Sequence, residues 1–298
     1  MDLDRLAGWL RCPSCGADLH AVPPLVLRCD RGHAVDVNKR GYASLLPPRT
    51  RVTGDNAEML AARARFLGAG HYAPLVDALV AALVDGGSPV SVDEPVRILD
   101  AGCGTGHYLR AMLDRLPSAH GLAADLSVAA VRAAVQGRDD IYGVVADTWA
   151  GLPVRDAAAD LLLDVFAPRN MVDFHRMVAP GGRLAIVAAG PDHLRQLRDA
   201  GRAVGVQPDK RERILEAADP LFAPLSETHV RADLQLSASD VDLLLGMGPS
   251  AHHFAEDGNA TSTLPPSASH GTTTVTLDAT IHVMRRRSAS PDADIDRA

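Results

Sequence analysis

The chain has 298 residues, of which 47% are hydrophobic and 22% charged, ordinary proportions for a globular protein with room for one large core and a smaller module. No stretch is long and apolar enough to cross a bilayer, and the opening MDLDRLAGWLRC lacks the basic-then-apolar layout of a secretory signal, so a cytoplasmic protein with no membrane partner is the expectation. The net charge of −7 excludes a uniformly basic surface, yet residues 1–51 carry eight Arg or Lys against five Asp, which leaves room for a local phosphate-contacting face.

Residues 1–48 read as a compact, turn-rich module with short β-like runs, LVLRC and HAVDV. It holds three of the four cysteines, in the pattern Cys12-Pro-Ser-Cys15 and Cys29-Asp-Arg-Gly-His33. Two tight turns that each present two soft ligands are what a closed, four-coordinate Zn2+ site requires. Four protein ligands leave no open position for substrate, so the metal would be structural. A module this small has little core of its own, and metal binding would supply much of its folding energy. The alternative is three buried thiols and an unrelated histidine. Arg11, Arg28, Arg31, Lys39, Arg40 and Arg49 are candidates for phosphate contact, and are equally compatible with a solvated face.

Residues 49–88 read as a polar linker followed by two helices. Asp55 or Asn56 caps the first, AEMLAARARFLGAG, with Gly68 or Gly70 as its stop; the second, YAPLVDALVAALVD, closes at Gly86–Gly87. From residue 89 to residue 287, apolar strands alternate with amphipathic helices. The strands are VRILDAG (96–102), GLAADL (121–126), IYGVVAD (141–147), LLLDVFA (161–167) and GRLAIVAA (182–189), with HYLRAMLDRL, SVAAVRAAVQ and NMVDFHRMV between them. That pattern specifies a parallel sheet covered on both faces. Residues 190–250 continue with helical patterns, 255–271 read as a mobile loop, 273–284 as a late strand and 288–298 as a disordered tail.

Where the first of these strands turns into a helix stand Asp100, Gly102, Gly104 and Gly106, followed by His107 and Tyr108. Glycines there let the backbone approach a ligand closely, and Asp125, at the end of the next strand, is placed to accept both hydroxyls of a ribose. The form D-x-G-x-G-x-G resembles the first motif of class I methyltransferases more than a GxGxxG dinucleotide turn. Ala146-Asp147-Thr148 resembles the motif that contacts adenine, and VAPGGRLAIV (178–187) the turn and fifth strand of the same fold. Asp164, ending the fourth strand, is the first candidate for a catalytic base, with a structural cap as its bland reading; Phe166 and Arg169 follow it.

The stretches CPSCGADL, CDRGHAVDVNKRGYASLLPP, GDNAEMLAARARFLGAGHYAPL, AGCGTGHY, FAPR and GPDHLRQL together resemble the RlmA family of 23S rRNA guanine-N1 methyltransferases. The resemblance implies an α/β protein, a class I Rossmann-like methyltransferase with a mostly parallel seven-stranded sheet and an N-terminal zinc-ribbon-like module. It implies S-adenosylmethionine as cofactor, with Asp100, Gly102, Gly104, Gly106, His107, Tyr108, Asp125, Asp147 and Tyr72 at its pocket. The implied reaction is methylation of N1 of a guanine in hairpin 35 of 23S rRNA. The stretch GMGPSAHH (246–253) is similar to the TlrB-like branch, which favours nucleotide 748 over 745 and implies resistance to tylosin-type macrolides. The zinc module would help recognise the RNA hairpin, Arg169 would hold a phosphate, and the family permits a homodimer. Two other readings are a small-molecule methyltransferase of an antibiotic pathway and a non-catalytic RNA-binding protein that keeps the fold.

Overall fold

A computed structural model describes residues 1–47, 50, 54–85, 95–205, 209–248 and 271–288. The expected mobile loop over 255–271, except its last residue, and the tail beyond residue 288 lie outside the described residues, as do Arg49, Gly86, Gly87 and the end of the GMGPSAHH stretch.

The chain opens with α1 (Leu3–Trp9), capped by the Asp2 side chain, which accepts from the Arg5 amide at 3.0 Å. Four short strands follow: β1 (His20–Val22), β2 (Val26–Arg28), β3 (Ala34–Asn38) and β4 (Tyr42–Ser44). Helix α2 (Ala57–Gly68) takes Asn56 as its cap, the side chain accepting from the Met59 amide at 2.9 Å. Helix α3 (Ala73–Val80) starts at a proline-bearing first turn and continues as one π turn over Ala81–Asp85.

The alternating region folds as β5 (Arg97–Ala101), α4 (His107–Arg115), β6 (His120–Asp125), α5 (Val128–Val135), β7 (Ile141–Val145), β8 (Ala159–Val165), α6 (Met171–Met177) and β9 (Val178–Ala189). Ser127 caps α5 and Asn170 caps α6 through side-chain oxygens. Then come α7 (Arg195–Asp199), α8 (Lys210–Ala218), β10 (Phe222–Leu236), α9 (Ala238–Gly246) and β11 (Thr273–Arg286). The long strand β10 corrects the helical reading of 190–250. Its burial alternates buried and exposed over SETHVRADLQL, as an edge strand with one wet face does, so it shows no apolar run.

All strands join one sheet in the order β1-β2-β3-β4-β7-β6-β5-β8-β9-β11-β10. The seven strands from β7 to β10 are the expected sheet, with β7, β6, β5, β8 and β9 mutually parallel and β11 the antiparallel strand between β9 and β10. The count is eleven because the N-terminal strands extend the same sheet, β4 pairing parallel with β7 through Tyr42 opposite Gly143 and Ser44 opposite Val145. The physical reason is a shared core: Leu6, Trp9 and Leu10 are buried in one cluster with Leu99, Leu122 and Tyr142. Arg155 stitches the junction, donating to the carbonyls of Leu10 at 3.0 Å and Leu19 at 2.6 Å.

Helices α1, α6 and α8 bury their apolar sides on one face of the sheet, and α2, α3, α4, α5, α7 and α9 on the other. After β5 the chain moves outward through β6 and β7, then returns to β8 on the opposite side of β5. The crevice between the carboxyl ends of β5 and β8 is therefore the topological switch point, where open α/β sheets take their ligands.

Candidate cofactor pocket, substrate mouth and metal centre

At the switch point β5 delivers Asp100 and then a turn in which Gly102, Gly104 and Gly106 all have left-handed φ, +85°, +52° and +75°. A Cβ on Gly102 would stand 2.5 Å from Cβ of Ala167, and one on Gly104 would stand 2.9 Å from Nη1 of Arg63. Only glycine fits the first place; at the second the Arg63 tip would have to move aside, and the turn exposes backbone at the sheet's edge. Asp125 closes β6 beside it, with one carboxylate oxygen accepting from the Gly104 amide at 2.9 Å and the other from the Ser127 amide at 2.8 Å. A carboxylate has about four lone-pair positions, so two such bonds leave capacity for ribose hydroxyls. Asp147 follows β7 on the same rim; the preceding Ala146 amide donates to the Asp125 carbonyl at 3.0 Å. Asp147 itself accepts from the Trp149 amide at 2.9 Å.

Beneath the turn Asp100 is buried, and one of its carboxylate oxygens has no partner among the described residues. Burial, reinforced by the Asp125 charge, pushes its carboxyl up to about 7. Burial also raises Asp125 and holds the His107 imidazole below its usual range. Tyr72 and Tyr108 are packed so that burial drives both phenols well above their ordinary range; they present rings, not phenolates. The predicted cofactor residues thus gather at one end of β5, β6 and β7. An orphaned buried oxygen, a cradle that a Cβ would fill and an acid at the ribose position suit a nucleoside-bearing ligand such as S-adenosylmethionine.

Across the crevice Asp164 is fully buried in β8, one oxygen accepting from Nε of Arg169 at 3.0 Å and the other without a partner among the described residues. Burial pushes it up to about 8, despite the opposing pull of Arg169. Both oxygens are enclosed, one of them held by Arg169, and that geometry favours the structural reading of Asp164 over the base. Phe166 comes next, with φ of +54° and its side chain 38% exposed at the mouth.

Two neighbours at this mouth escaped the sequence reading. Lys210, which opens α8, has its ammonium held low by burial and by Arg169. His193, in the turn after β9, has its ring centroid 5.7 Å from that of Phe166 and 6.3 Å from that of Tyr72. A His in a tight Gly-Pro-Asp turn at the carboxyl end of a parallel strand was the available signal. Arg63 on α2 was missed as well; it contacts the Gly104 position and pairs with Asp55 at 2.5 Å.

At the other end of the N-terminal strands, the Sγ atoms of Cys12, Cys15 and Cys29 and a ring nitrogen of His33 all lie within 4.8 Å of one another. Cys15 and Cys29 are 3.7 Å apart, and Cys29 lies 3.5 Å from Nδ1 of His33. A tetrahedron with Zn–S bonds of about 2.3 Å has edges of about 3.8 Å, so the donor set suits zinc. Gly16 and Gly32, with φ of +72° and +85°, turn the two knuckles.

The basic candidates do not form one patch. Arg28 and Arg31 are exposed beside the cysteine cluster, while Arg11 is partly covered and faces Asp156 at 3.6 Å. Lys39 and Arg40 line a recess of about 490 Å³ with Arg132 and Arg138, at the start of β7. Arg169 stands alone among them at the carboxyl end of the sheet.

Residues 98–182 match a family model described as a methyltransferase domain. The chain is 43% identical over 258 residues to a Micromonospora griseorubida protein that carries the name 23S rRNA (guanine-N(1)-)-methyltransferase, an alignment spanning 82% of this chain and 87% of that one. It is 38% identical over 249 residues to the 23S rRNA (guanine(748)-N(1))-methyltransferase of Streptomyces fradiae, covering 84% of this chain and 88% of the relative. Among solved structures, the complex of a methyltransferase activator with a methyltransferase from Haloferax volcanii superposes with a TM-score of 0.51 at 15% identity, over 78% of this chain and 97% of that chain. That likeness concerns the fold alone.

Proposed function

The chain belongs to the family of 23S rRNA (guanine-N1)-methyltransferases, and we propose that it methylates N1 of a guanine in a hairpin loop of 23S rRNA, with S-adenosylmethionine as donor. Nucleotide 748 is favoured over 745, because the Streptomyces fradiae relative is named for 748. Protection against tylosin-type macrolides follows as the physiological reading. The observation that carries the proposal is the glycine cradle at Gly102 and Gly104, backed by Asp100 and Asp125 and facing an open aromatic mouth.

Asp125 receives the ribose hydroxyls, Asp147 lies on the adenine side, and Tyr72, His107 and Tyr108 wall the pocket. When bound, the cofactor would supply a methyl group on a positively charged sulfur, which would keep the S–CH3 electron pair as the methyl passed to the N1 lone pair. The proton of N1 leaves to solvent. Asp164 acts through Arg169, fixing one edge of a guanidinium whose remaining donors are available to an RNA phosphate. Cys12, Cys15, Cys29 and His33 hold one structural Zn2+, and Arg28 and Arg31 beside them contact the hairpin backbone. Extracting the target from a loop costs less than extracting it from a duplex. A homodimer would set two such modules around one hairpin.

The test is methyl transfer from labelled cofactor to unmodified 23S rRNA, with primer extension to map the product. N1-methylguanine cannot pair, so a new stop beside nucleotide 748 is expected. A stop beside 745 would shift the branch, and cofactor binding without rRNA labelling would sink the assignment in favour of a small-molecule substrate.

A further inference from the structure

The turn after β9 is more tightly specified than a connection needs to be. The His193 amide donates to the Gly190 carbonyl at 3.1 Å, and Leu194 then adopts a left-handed φ of +54° with its amide bonded to the Thr276 carbonyl at 2.8 Å. Under the turn lies Asp278, 1% exposed, whose carboxylate accepts from the Asp192 amide at 2.8 Å and pairs with His229 at 2.6 Å. A Cβ on Gly190 would collide with that carboxylate at 2.5 Å, so Gly190 is what lets the turn close over it.

This scaffold fixes the state of His193. The Asp278 amide donates to Nδ1 of His193 at 3.3 Å, so Nδ1 presents its lone pair and the proton of the neutral ring sits on Nε2. Burial is the main force holding the imidazole down at about 4, which keeps it neutral at physiological pH. Nε2 has no partner among the described residues and is not enclosed by them. The side chain is therefore a fixed, uncharged N–H donor.

Its position is at the chemistry. The ring lies tilted by 31° to that of Phe166, and Ala167, the next residue, is the one that abuts the Gly102 turn. Four non-glycine residues have left-handed φ among those described: Ala157, Phe166, Leu194 and Asp209. Three of them bring groups to this mouth: Phe166 itself, Leu194 behind His193, and Asp209 before Lys210. Such strain persists only where surrounding structure enforces it, and it concentrates at active sites.

Guanine presents O6 beside N1. When N1 gives up its proton to become a nucleophile, negative charge gathers on O6, and a preorganised donor there lowers the barrier. We propose that Nε2–H of His193 donates a hydrogen bond to O6 of the target guanine, stacked on the exposed ring of Phe166, and stabilises that charge. This assignment rests on the guanine-N1 reading above, and it makes His193 a catalytic donor that cannot serve as the base.

The test compares wild type, H193A and H193Q on a synthetic 23S hairpin carrying guanine or 6-thioguanine at the target. Gln places an amide N–H near the position of Nε2, and sulfur is a poor acceptor. We expect H193A to lower kcat about 100-fold on the guanine hairpin, the loss typical of one removed oxyanion donor, while KM and cofactor Kd change less than about twofold. H193Q should recover to within about tenfold of wild type. The H193A penalty should shrink about tenfold or more on the 6-thioguanine hairpin, because the deleted partners are coupled. Full kcat in H193A overturns the proposal. Equal losses in both variants and on both hairpins also overturn it, since they mark a purely structural residue. If wild type binds cofactor and labels neither hairpin, the guanine-N1 reading has failed and this assignment falls with it.

Discussion

Asp100 concentrates the physics of the pocket in one side chain. It is 1% exposed, one oxygen has no partner among the described residues, and burial together with Asp125 lifts its carboxyl to about 7. The folded protein holds this proton more tightly than the unfolded chain, whose Asp titrates near 3.9. Its contribution to stability is therefore complete in acid and is lost as pH rises from about 4 through about 7. Asn, which cannot ionise, removes that slope. Relative to wild type, D100N should gain about 1.4 kcal/mol for each pH unit between about 5 and 7, and no more above about 7.5. Urea melts at about pH 5, 6, 7 and 8 read the difference directly; a gap that stays level across the series would mean Asp100 is ionised throughout. The sequence marks Asp100 as part of the cofactor turn, because glycines with positive φ in a strand-to-helix turn have few other uses. It does not reveal the charge state, which is set by burial in the folded chain and by Asp125 on the neighbouring strand. His193 was hidden for the same reason: its tautomer is fixed by an amide 85 residues further along the chain.

Among the elements, the cysteine knuckles are the clearest case of local sequence dictating local structure. Their spacing brings four donor atoms within 4.8 Å, and glycines with positive φ close each turn. The strands β1 to β3 bury only Leu27 and Val37 well, so a metal held by the four donors would add to the little core these strands have. One zinc per chain is expected by atomic emission. Replacing Cys29 with Ser, or stripping the metal with a strong chelator, should lower Tm by about 5 °C or more, equivalent to a few kcal/mol in a protein of this size. Trp9 offers a local probe, being 2% exposed and packed edge-on against His120. In a W149F background its emission should shift to the red when the metal leaves. Unchanged Tm and emission in the metal-free protein would dismiss zinc as a structural element. The strands and helices from β5 to β9 were equally legible, their boundaries falling within about two residues of the apolar runs except at the start of β9, which begins at Val178 rather than at residue 182. Strand β10 was not, because a long edge strand with one wet face carries charged residues at alternate positions, and these blur into a helical pattern when no partner is known.

The whole molecule departs from the sequence expectation in how its two ends of charge and function are joined. Residues 1–48 read as a separate module, but their strands continue the main sheet and their helix lies on its face. Pairing of β4 with β7 is a tertiary event with no local signature: Ser44, Ala43 and Tyr42 could belong to any short strand. Only Gly143 hints at it, since a Cβ there would meet Tyr42 Cβ at 2.7 Å and Val131 at 2.4 Å. One continuous sheet thus joins the cysteine cluster and the glycine turn. Strand β7 carries Tyr42's partner, Gly143, at its middle and ends just before Asp147, and β6 beside it ends at Asp125. Deleting residues 1–47 should therefore do more than remove a surface module. It would expose the edge of β7 and uncover Leu122, Tyr142 and Val144, an apolar surface beside unpaired backbone that invites association. The truncated chain should aggregate or unfold without a cooperative transition, and it should bind S-adenosylmethionine at least about tenfold more weakly. In the intact protein, zinc release and loss of sheet structure should then coincide in one thermal transition. A truncated chain that keeps its Tm and cofactor affinity would show that the N-terminal strands are an appendage, and that the continuous sheet transmits nothing between the two sites.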